Sequence, residues 1–130
     1  MTQENKALLL KDLCARLPYG VKVESVFINP DTKEHKSCGI EVFNATSLLM
    51  IRDGLGEFKP YLFPLSSMTE EQKYEYDELI HSNNIKSIEG FITTTDCSTA
   101  EIDWLLKNNF DFRGLIPMGL AIDATGLKIY

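Results

Sequence analysis

The sequence predicts a small α+β fold in which about three helices pack on an antiparallel sheet of three to five strands. Three observations lead there. Residues 4–17 repeat apolar side chains at helical spacing; Val21 to Ile51 falls into three short apolar runs separated by turn chemistry; and capping signatures at Thr69 and Ser98 precede further helix-periodic stretches. A chain of 130 residues with 44% hydrophobic and 25% charged side chains has globular composition and room for one core, so one domain over 1–130 is expected.

In the first helix Leu10, Leu13, Cys14 and Leu17 follow the i, i+3, i+4, i+7 spacing of one face, which places Cys14 in the core as a small apolar residue. Pro18 and Gly20 end the helix. Val21 to Ile28 alternates and then shifts phase around Ser25-Val26, as a strand carrying a bulge does. Asn29-Pro30-Asp31 opens a hairpin loop to a second strand, Cys38 to Phe43, and Ser47 to Ile51 reads as a third. Three strands in succession suggest an antiparallel meander.

Lys59 to Leu65 holds Pro60 and Pro64. Each proline lacks a ladder donor, so the segment is expected at a sheet edge or as an extended arm. Thr69 and Gln72 fit a capping box, and Glu70 and Glu71 fall in the first turn of the helix that follows, where the helix dipole favours them. This helix is expected to end at Ser82-Asn83-Asn84, before a short strand from Gly90 to Thr93. Ser98 and Glu101 suggest a third helix from Thr99 to Asn108, with Trp104 half-buried on it. Phe110 and Phe112 should share one face and Asp111 and Arg113 the other, as an ion pair. Leu115 to Ile122 reads as irregular or as a short strand, and Leu127 to Tyr130 as a last strand.

The charge of -6 is uneven. Residues 1–65 hold eight basic and eight acidic side chains, whereas 66–130 hold five and eleven. Without clustered Lys and Arg, nucleic-acid binding is not expected. No apolar run approaches the roughly 20 residues of a membrane span, and the polar start, Met1 to Asn5, does not read as an export signal. Cys14, Cys38 and Cys97 lie far apart and are odd in number, which favours reduced thiols and a cytoplasmic setting. Neither a cofactor nor a metal is expected, because His35, Cys38, His81 and Cys97 lack the tight spacing of zinc ligands.

Two motifs carry a resemblance. KPYLFPLSSMTEEQ at Lys59 to Gln72 is similar to KPYLRPLSSMTEEE, and DWLLKNNFDFRGLIPMGLAID at Asp103 to Asp123 is similar to DWLN...FDYRGLI...GLA, both found in uncharacterised small proteins of gut anaerobic bacteria and their phages. The resemblance implies a phage or prophage origin and the cytoplasm of the bacterial host, and brings no activity with it. Phe63 stands where that family usually has Arg, which marks Phe63 as a candidate exposed contact.

Two functional expectations follow. The first is a non-catalytic accessory protein that binds a protein partner or itself, with Phe63, Glu70, Glu71, Glu75 and Glu78 as the interaction surface. The second is a small-molecule-binding domain or enzyme using Arg52 and Asp53 together with Asp111 and Arg113, which requires the two pairs to meet in one concavity. No nucleophile motif or phosphate loop supports catalysis, and Arg52-Asp53-Gly54 has an ordinary reading as a turn.

Overall fold

Helix α1 (Gln3–Arg16) starts where the Thr2 hydroxyl accepts from the Asn5 N–H, and ends in a 3₁₀ turn at Leu17–Tyr19. Its buried face is Leu9, Asp12, Leu13 and Arg16. That stripe keeps the expected spacing but is rotated by about one residue, so Leu10 is 38% exposed and Cys14 faces solvent rather than the core. The reason is an ion pair between Asp12 and Arg16 that occupies half of the inward face. The coordinates are a computed structural model describing residues 2–79 and 94–130, with 94–100 described by backbone alone.

After α1 the chain forms a hairpin of β1 (Lys22–Ile28) and β2 (His35–Val42). The register shifts between Ser25 and Val26, where the sequence shifts phase. Across from this point Gly39, at φ 84, adopts the left-handed geometry that glycine accommodates without strain. The next segment is not a strand: Ala45–Arg52 forms helix α2. Asn44 accepts from the Ser47 N–H at 3.2 Å while the Ser47 hydroxyl accepts from the Asn44 N–H at 3.3 Å, a reciprocal cap that commits SLLMI to a helix despite its β-compatible composition.

The chain then enters β3 (Gly56–Pro64), which is the centre of the sheet and not its edge. Strand order is β2-β1-β3-β4, with β5 also against β3. The prolines are accommodated by phase. Ile28 N–H donates to the Leu55 carbonyl at 2.8 Å, so Glu57 and Lys59 turn their backbone groups toward β1 while Pro60, Leu62 and Pro64 turn theirs away. Of those three, Leu62 meets β5 (Ile122–Asp123), accepting from the Ala124 N–H at 2.8 Å. Phe63 faces the other side and donates to the Asn109 carbonyl at 2.8 Å, beside β4 (Phe110–Asp111). Pairing of β3 is antiparallel to β1 and parallel to β4 and β5, so the five-stranded sheet is mixed.

Helix α3, whose described part is residues 70–79, and helix α4 (Thr94–Lys107) lie in the crossover from β3 to β4. The α3 cap is the one the sequence shows: Thr69 N–H donates to Gln72 Oε1 at 2.9 Å and Gln72 N–H to the Thr69 hydroxyl at 3.2 Å. The expected helix stop at Ser82-Asn84 and the strand at Gly90-Thr93 lie outside the described residues. Helix α4 begins five residues before the expected Thr99, which puts Ser98 inside it instead of at its cap. Leu115 to Ala121 runs through turns, and Leu127 to Tyr130 is not a strand.

Leu9, Leu13, Val21, Val23, Phe43, Phe58, Leu62, Leu115, Leu120 and Ala121 form the main core. Each large apolar side chain buried there contributes about 1.5–3 kcal/mol relative to exposure. Phe43 and Phe58 meet edge to face, with centroids 5.7 Å apart. No helix among the described residues is long and apolar enough to cross a membrane.

Candidate functional site

The acidic helix α3 presents the most distinctive surface. Glu70, Glu71, Glu75 and Glu78 are all exposed on it, with Asp77 beside them. Glu70 and Glu71 sit at the capped end, where unpaired backbone N–H groups favour negative charge. Lys73 reaches Glu70 at 3.7 Å, a solvent-exposed contact that adds little. Tyr74 stands among these carboxylates and is 67% exposed. Two adjoining shallow grooves run along the helix, one lined by Glu70, Glu71, Tyr74 and Glu75, the other by Tyr74, Glu75, Glu78, Leu79 and Trp104.

Behind that face α3 is held by aromatic contacts. Tyr76 meets Trp104 of α4 with centroids 5.4 Å apart, and burial raises the Tyr76 hydroxyl above its ordinary pKa, reinforced by the nearby charges of Glu101 and Asp77. Trp104 stacks on Phe110 at 5.7 Å and 14°. Phe110 continues to Phe63 at 6.3 Å, and Phe63 to Tyr130 at 5.8 Å. Phe63 is therefore half-buried in an aromatic row rather than standing free as an exposed contact. An arginine there would have to insert a guanidinium between Phe110 and Tyr130; the apolar residue suits this packing better.

Tyr130 closes a gap in the sheet. Its hydroxyl accepts from the Lys22 N–H at 2.9 Å and donates to the Tyr61 carbonyl at 2.8 Å, linking the first residue of β1 to β3 through a side chain. The Lys22 ammonium donates to the Ile129 carbonyl and lies 5.6 Å from the Tyr130 ring centroid.

The two pairs expected to converge do not. Arg52 and Asp53 bond one another at 3.0 Å at the end of α2, with side chains 69% and 48% exposed, and this bond raises the Arg52 pKa. Gly54, at φ 71, then turns the chain into β3, which is the ordinary turn role of that segment. Asp111 pairs with Pro64 at the opposite end of β3. At about 3.3 Å per residue, the strand places the two ends roughly 26 Å apart.

Asp111 and Arg113 are also not paired with each other. Asp111 is buried and accepts from the N–H groups of Leu115 and Ile116, both at 2.9 Å, fixing the turn after β4. Arg113 reaches α1 instead, bonding Asp12 at 3.0 Å. Asp12 thus holds two guanidiniums, and both lie over Phe112, Arg16 at 5.6 Å and Arg113 at 4.7 Å from the ring centroid. Arg16 also donates to the Phe110 carbonyl at 2.6 Å. This cluster locks α1 onto β4. The residue that sequence reasoning missed is Asp12; its signal was an Asp and an Arg four apart on the inward side of a helix.

The chain matches no protein-family model, no curated protein and no solved structure.

Proposed function

We propose that this protein is a non-catalytic interaction domain that docks a cationic segment of a protein partner along α3. The observation that supports this most is the coincidence, on one helix, of exposed Glu70, Glu71, Glu75 and Glu78 with exposed Tyr74 and a groove that Trp104 helps to line. A Lys or Arg side chain entering there finds carboxylates at the rim and the exposed Tyr74 ring, against which its stem and charge can rest. An accessory role in a phage or prophage setting is compatible with such a domain. The enzyme reading loses its footing because its two pairs lie near opposite ends of β3, each with separate structural partners.

Trp104 is the single tryptophan, so its fluorescence reports on this groove. Titration with an oligolysine peptide is expected to give a saturable, salt-sensitive change. Converting Glu70, Glu71, Glu75 and Glu78 to Gln is expected to abolish it. The same neutralisation of exposed Glu4, Asp31, Glu34 and Glu57 is expected to leave most of it. Equal losses in the two variants would reduce the effect to net charge and remove α3 from the account.

A further inference from the structure

A second surface, independent of α3, lies at the far end of the sheet. All eight residues of β2 are exposed, and among the described residues nothing pairs with its outer edge. Such an edge is ordinarily blunted by charge, since unpaired N–H and C=O groups invite another strand. Here the charges are Lys36 and Glu41, of opposite sign.

The hydrogen-bond phase shows which backbone groups are free. Phe43 N–H donates to the Val21 carbonyl and Asn29 N–H to the Glu34 carbonyl, both at 2.9 Å. Stepping by twos from each end, Glu41, Gly39 and Lys36 turn toward β1, while Val42, Ile40, Ser37 and His35 turn their backbone groups outward. These two sets also divide the faces. His35, Ser37, Ile40 and Val42 lie opposite Ile28, Val26, Glu24 and Lys22, alternate residues that share one face of β1. Lys36 and Glu41 lie opposite Phe27 and Val23, on the other face. The bulge at Cys38 sits in the middle of this pattern and makes it symmetric about its own centre.

We infer that β2 pairs antiparallel with β2 of a second copy of this chain, about a two-fold axis between Cys38 and Gly39. One full-length register maps the outward set onto itself: His35 faces Val42 of the second copy and Ser37 faces Ile40. In that register the outward backbone groups meet one another, and every opposed pair keeps its side chains on a common face. Lys36 then stands opposite Glu41 of the second copy, and the symmetry repeats the ion pair. Ile40 and Val42, 55% and 48% exposed in the single chain, are partly covered by the added strand. Charges that would repel a random strand therefore select this one.

Sedimentation equilibrium on the full chain tests this. A concentration-dependent dimer is expected. Lys36→Glu and Glu41→Lys each turn both ion pairs into like-charge pairs and are expected to weaken the dimer about tenfold. Mixing the two variants restores both pairs between unlike copies, so an equimolar mixture is expected to dimerise as the unmodified chain does. Ser37→Pro removes an outward N–H and is expected to weaken the dimer at low and high salt alike. Circular dichroism identifies any variant that fails to fold, and the reversals at two positions read the same contact. A chain that stays monomeric, a dimer indifferent to both reversals, or a mixture no tighter than its components would overturn the pairing.

Discussion

Asp12 accepts from Arg16 Nε at 2.8 Å, one turn along α1, with both side chains fully buried. A buried pair contributes little net stability compared with well-packed apolar residues, because desolvation offsets the Coulombic attraction. Removing one partner is another matter, since a charge is left in the core.

Asp12→Ala is therefore expected to cost about 3–5 kcal/mol in urea denaturation. It strands Arg16 and also frees Arg113, which is 17% exposed and can turn to water. Replacing both partners, Asp12→Leu with Arg16→Met, is expected to cost clearly less than the sum of the single changes. Additive losses would mean that the two side chains contribute independently and that the pairing is incidental.

The alkaline limb of stability is expected to report Tyr130. Burial of its hydroxyl against the Lys22 and Tyr61 backbone pushes its pKa up to about 12, with the Lys22 hydrogen bond and Arg16 opposing the shift. The folded state thus favours the neutral phenol relative to the unfolded chain, whose tyrosines titrate near the ordinary value of about 10. The stabilisation is fully present below pH about 10 and is lost as pH rises through about 12. Tyr130→Phe is expected to begin about 1 kcal/mol less stable at neutral pH, through loss of its hydrogen bonds, and to decline less steeply across that window. Tyr61 and Tyr76 are raised too, chiefly by burial, and account for the slope that remains. Parallel alkaline curves for the two proteins would exclude Tyr130 as the titrating group.

What could be read from the sequence was whatever is encoded within a few residues. The α3 capping box, the phase shift that becomes the β1–β2 bulge and the span of α1 are local signals, and each has its counterpart in the structure. SLLMI is a helix and not a strand because the Asn44–Ser47 cap, an equally local signal, outweighs its β-compatible composition. The reading of β3 as an edge failed for a different reason. Proline excludes a hydrogen bond on one side of a strand, not on both, and which side is free depends on a register set elsewhere. The exposure of the α3 carboxylates was legible because charge on one face of an amphipathic helix is a local property. The Arg113–Asp12 bond, spanning 101 residues, and the Phe63–Tyr130 contact have no local signature.

Asn109 offers a prediction of opposite sign to most substitutions. It sits in the left-handed region at φ 61, just after α4, with its N–H donating to the Leu106 carbonyl and its own carbonyl accepting from Phe63. The bond to Phe63 carries the chain into the β3–β4 pairing, so the backbone cannot relax to relieve the strain. Its side-chain Oδ1 is buried and has no hydrogen-bond partner among the described residues. Asn109→Gly removes both penalties, a Cβ in left-handed geometry and a desolvated acceptor. Against this stands only the added freedom of glycine in the unfolded chain, so the variant is expected to gain about 1 kcal/mol. Asn109→Val adds a β-branched side chain to the same conformation and is expected to lose at least about 1–2 kcal/mol. Urea midpoints rank the three proteins. A glycine variant less stable than the parent would show that the Asn109 side chain holds the α4 terminus in place, and would transfer the strain argument to the other side of the balance.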